Sequence, residues 1–225
     1  MKKLLFWMVL IVGIVALIGS CAKKDEESAA TAAATAAADN TTSTTSYIST
    51  TTTASGSITM GDDTLSGVYA SECLTSASTI AFFKATGFWA SEVNAYGQVF
   101  VVTGSDNISI ELYAFTDTSC SNLSLSQKTV SDNVTVGSAS GSNYPVTYNN
   151  QTQALTVHTT AAETALETLY SNALDFIVGT PIELPVSGSG LRYGLWTLSG
   201  TTWYEADDSS SATPTSAGTV PHVKQ

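Results

Sequence analysis

The sequence predicts a mainly β domain, an antiparallel barrel or sandwich of about eight short strands with one short helix. Three observations support this class. Many segments alternate apolar and polar residues, clusters of Gly, Asn, Asp and Ser separate them at short intervals, and a single segment repeats its apolar residues at helical spacing. Short strands joined by turns are typical of antiparallel sheets that fold back on themselves.

The predicted strands follow from these alternating segments. Residues 98–103 and 108–115 flank a Gly-Ser-Asp-Asn turn and predict a β-hairpin. The other strand segments are residues 65–69, 123–127, 130–136, 146–148, 154–158, 176–178, 182–184, 192–198 and 201–205. Asn149-Asn150 and Ser199-Gly200 are predicted to be the turns of two further hairpins.

The one predicted helix begins at Thr160, where Thr160-x-x-Glu163 has the spacing of a capping box. Apolar residues then recur at helical intervals as far as Ala173. Residues 79–96 contain several aromatic residues that match neither period, so they are predicted to be a strand followed by an irregular connection.

The N-terminus has the layout of an export signal. Lys2 and Lys3 precede an apolar run of about fifteen residues, which is too short for a typical membrane span. The following Ile18-Gly19-Ser20-Cys21 resembles the lipobox of bacterial lipoproteins. That resemblance implies cleavage before Cys21 and acylation of Cys21, and Ala22 in place of Asp resembles the pattern sent to the outer membrane. An uncleaved anchor and an ordinary secreted protein are the alternatives.

The segment after the signal predicts a flexible tether. Of residues 28–57, 25 are Ala, Thr or Ser. The segment therefore has too few large apolar side chains to form a core. A flexible coil of about forty residues, the separation of Cys21 from the domain, spans roughly 35 Å. Glycosylation of its hydroxyls is an alternative role. The expected organisation is a signal peptide (1–20), a lipidated tether (21–60), a barrel-like domain (61–207) and a flexible C-terminal tail (208–225).

Composition excludes several partners. Without residues 1–20 the chain has 6 basic and 19 acidic side chains, which argues against binding nucleic acid.

If Cys21 is acylated, Cys73 and Cys120 are left as an even pair in an oxidising compartment, which predicts a disulfide. Two free thiols or half of a metal site are the alternatives.

Three motifs of the domain together resemble a group of uncharacterised small bacterial lipoproteins with lipocalin-like barrels. These motifs are Leu65-Ser66-Gly67-Val68-Tyr69 with Cys73, Phe115-Thr116-Asp117-x-x-Cys120, and Trp196-x-x-Ser199-Gly200-Thr201-x-Trp203-Tyr204. The resemblance covers most of residues 65–206 and implies a lipocalin-like barrel. It implies no mechanism, because the group has no settled activity.

No catalytic, metal or cofactor motif is present, so the protein is predicted not to be an enzyme. His158 and His222 are expected to be a half-exposed strand residue and a solvated tail residue. The aromatic residues Phe83, Trp89, Trp196 and Trp203 could line a cavity for a small apolar ligand. Their alternative role is to fill the core. The expected function is a membrane-anchored module that binds a small apolar ligand or a protein. A structural lipoprotein and an envelope hydrolase are the alternatives.

Overall fold

The protein forms a closed antiparallel β-barrel of eight strands with a lipocalin-like architecture. The structure is a computed structural model that describes residues 46–186, 190–209 and 211–225, without the side chains of 207 and 208. The predicted signal peptide, Cys21 and the first part of the tether lie outside these residues. The strands are β1 (Ile58–Met60), β2 (Asp63–Leu65), β3 (Val68–Ala70), β4 (Ala95–Val102), β5 (Ile108–Phe115), β6 (Leu123–Val136), β7 (Asn143–Val157), β8 (Pro181–Leu184), β9 (Leu191–Ser199), β10 (Thr202–Ser209) and β11 (Pro221–Lys224); the helices are α1 (Ala77–Ala85) and α2 (Thr160–Leu169).

The ring of the barrel runs in the order β3, β4, β5, β6, β7, β9, β10 and β11, and β11 pairs with β3 to close it. Each of these neighbours is antiparallel. Strand β8 pairs with the end of β7 that extends beyond β9. Strands β1 and β2 form a separate two-stranded hairpin. The fold class predicted from the sequence is therefore confirmed as a barrel.

The two ends of the barrel are filled by different elements. At the helix end, Phe83 of α1 and Leu166 of α2 are fully buried in a core cluster with Tyr96 at the start of β4. At the hairpin end, Met60 and Leu65 of the β1–β2 hairpin are buried in a second cluster with residues from the ends of β4 and β9. The barrel interior thus contains two apolar clusters, one toward each end.

Residues 46–60, predicted to belong to the tether, instead pack against the barrel. Tyr47 forms a bridge with Glu72, the backbone N–H of Ile48 donates to Ser71, and that of Ser55 donates to Val102. We call residues 47–55 the strap. It crosses the outer face of β3, β4 and β5 from the helix end to the hairpin end, and then leads into β1.

The structure has two short helices in its described part, one more than predicted. Residues 77–85 form α1, where the sequence predicted a strand. The Ser76 side chain accepts a hydrogen bond from the Thr79 backbone N–H, 3.4 Å away, which caps the helix N-terminus. Helix α2 begins at Thr160 as predicted, but its N-cap is Thr159, whose hydroxyl accepts from the Ala162 N–H.

Two predicted interruptions are not turns. Residues 143–157 form one long strand that continues through Asn149-Asn150, so the hairpin predicted there is wrong. Likewise β6 is continuous through Asp132-Asn133, where shifts in its register with β7 accommodate extra residues. Asn133 has a φ of 53°, which Asn tolerates better than most residues, so the strand bulges rather than ends.

The C-terminus is a structural part of the barrel. Residues 221–224 form β11 between β3 and β10, where the sequence predicted a flexible tail. His222 is 1% exposed and lies inside, so the expectation that it is solvated is wrong. Four residues are too few for an alternation signal, and the Ser/Thr/Pro-rich residues before them conceal the strand.

Candidate functional site

A layer of polar side chains crosses the barrel interior between the two apolar clusters. Residues paired directly across antiparallel strands point to the same face, so the register identifies the inward positions. Phe100, Ile110, Thr129 and Gln153 are successive partners across β4, β5, β6 and β7. Phe100 lies in the hairpin-end cluster, so its partners also face inward. We define the interior polar layer as Gln98, Gln127, Thr129, Gln153, Arg192, Glu205 and His222.

One apolar residue at the level of this layer keeps accessible surface inside the barrel. Ile110 lies in the middle of β5 and faces inward, yet it keeps accessible surface, whereas Ile108 and Leu112 on either side of it are buried. The outward neighbours of Ile110, Ser109 and Glu111, are themselves buried. The accessible surface of Ile110 therefore faces the interior. Gln98, Gln153 and Glu205 also retain partial exposure.

His222 connects the layer to the aromatic cluster of the hairpin end. Its ring lies 4.7 Å from the Phe100 ring, and its Nε2 lies 3.4 Å from Gln98 Oε1. Burial lowers the pKa of His222 to about 4, while the Trp203 backbone acts in the opposite direction. The imidazole is therefore neutral at pH 7.

The two charged members of the layer lie on neighbouring strands β9 and β10. Arg192 is paired across the ladder with Tyr148, whose hydroxyl lies 3.4 Å from Glu205 Oε1. Arg192 is buried, and both it and Glu205 have protein partners. One cation and one anion thus enter the same layer, and their formal charges cancel.

Several buried polar atoms of the interior have no hydrogen-bond partner among the described residues. They are the side-chain atoms Gln127 Oε1, Trp196 Nε1, Trp203 Nε1 and His222 Nδ1, together with Trp89 Nε1 at the helix end. An added Cβ on Gly194 would lie 3.3 Å from Trp196 Nε1, so the indole edge lies over that glycine. A buried polar atom without a partner costs about 1–3 kcal/mol. These atoms have almost no accessible surface, so they lie in the packed interior and not on the wall of a space.

The four aromatic residues predicted to line a cavity separate into two pairs. Phe83 and Trp89 belong to the helix-end cluster, with ring centroids 4.3 Å apart. Trp196 and Trp203 belong to the hairpin-end cluster, with centroids 4.9 Å apart. All four are buried and contact other aromatic rings, as core-filling residues do. Their role in ligand binding stays a prediction.

The predicted disulfide is present. Cys73 and Cys120 are bonded, with Cα atoms 5.8 Å apart, and join the segment after β3 to the turn between β5 and β6. Asp117 organises that turn, because its carboxylate accepts hydrogen bonds from the backbone N–H groups of Ser119, Ser121 and Asn122. These bonds, together with those from the Ser119 hydroxyl and the Asn122 amide, hold the pKa of Asp117 well below its usual value.

A Ser–His pair lies on the outer surface, away from the interior. Ser126 Oγ is 2.9 Å from His158 Nε2. Within the described ranges, no carboxylate is recorded on the other ring nitrogen of His158. The nearby Glu92 carboxylate instead accepts from the hydroxyls of Ser124 and Thr159 through the same oxygen. Burial lowers the pKa of His158. The sequence singled out His158 but could not identify Ser126 as its neighbour.

The described ranges hold no group of three or more His, Cys, Asp or Glu side chains that could bind a metal ion. Neither α1 nor α2 is long and apolar enough to cross a membrane. No protein-family model matches the chain, and no curated protein matches it either.

Proposed function

We propose that the protein is a lipid-anchored lipoprotein of the bacterial cell envelope, carried on the outer membrane, whose barrel binds a small molecule in its interior without catalysing a reaction. The observation that supports binding most directly is the accessible surface of Ile110 inside the barrel, at the level of the polar layer. The interior of an eight-stranded barrel is either filled by side chains or wide enough to hold one small ligand.

The polar layer changes the expected chemistry of the ligand. A purely apolar molecule, as the sequence suggested, would cover the partly exposed Gln98, Gln153 and Glu205 without pairing their polar groups. Burying polar groups without hydrogen bonds is unfavourable. A ligand with polar groups fits this layer better, while its apolar part can contact Ile110.

Blocking the interior tests the binding function. In Ile110→Trp the added ring occupies the space beside the polar layer, and in the matched control Thr152→Trp the ring is placed at an exposed site on β7. We expect native mass spectrometry of the purified full chain to show a co-purified small molecule in the wild type and in Thr152→Trp but not in Ile110→Trp. Equal occupancy of both folded variants would contradict interior binding.

The anchor is tested separately by the mass of the membrane-extracted protein. We expect a chain that begins at Cys21 and carries acyl mass, and a Cys21→Ser variant that keeps its signal and is not acylated. A full-length chain without lipid would contradict the lipoprotein assignment. This result would leave the interior site unaffected.

A serine hydrolase is the second candidate, favoured by the 2.9 Å separation of Ser126 Oγ and His158 Nε2. A hydrolase would label with a fluorophosphonate at Ser126, and His158→Ala would abolish the labelling. We expect no labelling, because in the described part of the chain His158 has no recorded carboxylate to orient it. Labelling that depends on His158 would favour the hydrolase.

A further inference from the structure

We infer that the helix end of the barrel lies against a zwitterionic lipid bilayer, with Phe82, Ile177 and Val178 in contact with the lipid. This inference rests on the acyl anchor proposed for Cys21 and adds which side of the domain faces the membrane. It follows from the position of the exposed apolar side chains, from the place where the described chain enters the barrel, and from the charges at that end.

The exposed large apolar side chains of the described residues all lie at the helix end. They are Phe82, with 38% of its surface exposed, Ile177 with 55% and Val178 with 42%. Phe82 belongs to α1, and the other two lie between α2 and β8. The hairpin end of the described barrel has no side chain of this kind. Single exposed apolar residues are normal on a protein surface, but their restriction to one end indicates a contact surface.

The segment that carries Ile177 and Val178 is fixed on both sides. Phe176, directly before them, is fully buried in the helix-end cluster. The backbone N–H of Gly179, directly after them, donates to the Val157 carbonyl at the end of β7, 2.8 Å away. The two exposed side chains can therefore enter the boundary between head groups and acyl chains without first becoming ordered, which lowers the entropic cost of the contact.

The strap brings the chain to the helix end before it leads toward the proposed anchor. Without the strap the chain would enter the barrel at Ile58, the start of β1, whose hairpin fills the opposite end. Instead Tyr47 pairs with Glu72 near the helix end, and Cys21 precedes this point in the sequence. The connection from the lipid to the helix end therefore does not pass along the barrel. A tether attached there gives the nearer end the higher effective concentration at the membrane.

The charges at the helix end select the kind of lipid. Lys84 on α1 is partly exposed, whereas Glu72, Asp175 and Glu183 are exposed carboxylates. The phosphate of a head group can pair with the lysine, and its ammonium can pair with a carboxylate. A zwitterionic head group supplies both charges, whereas an anionic one would meet an excess of like charge. Phosphatidylcholine and phosphatidylethanolamine surfaces therefore fit this end better than anionic lipids.

Quenching by brominated lipid tests this contact in the full lipidated chain. The protein is reconstituted in phosphatidylcholine vesicles whose acyl chains carry bromine, which quenches the fluorescence of an indole ring that touches them. Phe82→Trp places a new ring at the proposed contact, and the matched control Thr201→Trp places one on the exposed turn between β9 and β10 at the hairpin end. The native Trp89, Trp196 and Trp203 are buried and are the same in both variants.

We expect brominated vesicles to reduce the fluorescence of Phe82→Trp relative to unbrominated vesicles, and to leave that of Thr201→Trp unchanged. The quenching should weaken when Ile177→Ser and Val178→Ser are added to Phe82→Trp, because part of the apolar contact is lost. It should disappear when Cys21→Ser is added instead, since so small an apolar surface binds lipid weakly without an anchor.

Two results would overturn this inference and leave the anchor and the interior site intact. Equal quenching in Phe82→Trp and Thr201→Trp would show that neither end faces the bilayer preferentially. A blue-shifted emission of Phe82→Trp without quenching would assign this end to contact with a second copy of the chain. A chain that carries no acyl mass would instead remove the proposed anchor itself, and this orientation with it.

Discussion

The individual residues of the polar layer are poor choices for stability alone. Apolar residues of similar volume at Gln127 and His222 would fill the interior without buried polar atoms that lack partners. Each such atom costs on the order of 1–3 kcal/mol. Small domains have total stabilities of only about 5–15 kcal/mol, so several of these costs together are a substantial part of the whole.

His222 makes the domain sensitive to mild acid. Its pKa is about 4 in the folded chain and about 6.5 when unfolded, so the unfolded state binds more protons between these values. The free energy of unfolding should therefore fall as the pH is lowered from 6.5 to 4, by about 3 kcal/mol in total. Urea unfolding at a series of pH values measures this change. Asp117, whose pKa is lowered from 3.8, makes the free energy of unfolding fall only as the pH drops from about 4 downward, below the window of His222.

Substitution of His222 identifies the source of the acid sensitivity. His222→Gln should flatten the pH dependence between 6.5 and 4, whereas His158→Gln should leave most of it, because His158 is only partly buried. If both variants keep the wild-type slope, another group is responsible.

One buried carboxylate on the outer face of the barrel binds the strap. Glu111 is 2% exposed and accepts hydrogen bonds from the hydroxyls of Thr50 and Thr52 in the strap and of Tyr113 in β5. Lys128 Nζ lies 3.9 Å from the same carboxylate and also contacts Thr52. Gly97 permits the close approach of Ile48, since an added Cβ would lie 2.2 Å from Ile48 Cγ1.

Loss of the Glu111 charge should release the strap. In Glu111→Gln the threonine hydroxyls donate to a neutral amide in place of a carboxylate, so we expect a loss of about 1–3 kcal/mol and faster hydrogen exchange in residues 47–55. Exchange followed by mass spectrometry measures this locally. Glu183→Gln, at an exposed position of β8, is the matched control. Unchanged exchange in the strap would show that the backbone contacts suffice.

The disulfide stabilises the domain mainly by restricting the unfolded chain. Its two cysteines are 47 residues apart, and the chain-entropy model assigns such a loop about 4 kcal/mol. The double variant Cys73→Ser/Cys120→Ser should unfold at correspondingly lower urea concentration, and a reducing agent should then have no further effect on it. A double variant as stable as the oxidised wild type would contradict this prediction.

The elements that local patterns specify were predictable, and those that depend on distant partners were not. The β4–β5 and β9–β10 hairpins matched because each is defined by its own turn and alternation. Helix α1 was missed because only Ile80 and Phe83 face the core, while Phe82 between them is 38% exposed. The Thr-rich strap resembles a spacer in composition, and its order depends on Glu111, which lies about sixty residues away.

The candidate site shows the same limit. The sequence identified the aromatic residues of the core, because such residues are usually buried. It could not identify the polar layer, since its members come from six different strands that only the closed barrel brings to one level. Ser126 was missed for a similar reason, as only strand pairing brings it to His158.

At the scale of the whole molecule, the two ends of the described chain lie at opposite ends of the barrel, the strap near the helix end and the C-terminal strand near the hairpin end. Residue 47 pairs with Glu72 near the helix end, and Gln225 donates to the Val68 carbonyl near the hairpin end. Strand β11 is the last part of the ring to be synthesised and pairs with β3, more than 150 residues earlier. Closure of the barrel is therefore a long-range event, which is slow in folding because of its loop-closure entropy.

Removal of the C-terminal strand tests this closure directly. Deletion of residues 221–225 leaves the edges of β3 and β10 unpaired and uncovers Trp203, so we expect a loss of about 3 kcal/mol or more and self-association through the open edges. Thermal unfolding and analytical ultracentrifugation measure the two effects. Lys224→Ala keeps the strand and loses only the side-chain contacts of Lys224 with Ser66 and with the Tyr69 ring, so it should behave like the wild type. A peptide of residues 219–225 should restore the truncated barrel by strand addition. A truncated chain that stays monomeric and equally stable would show that β11 does not close the barrel.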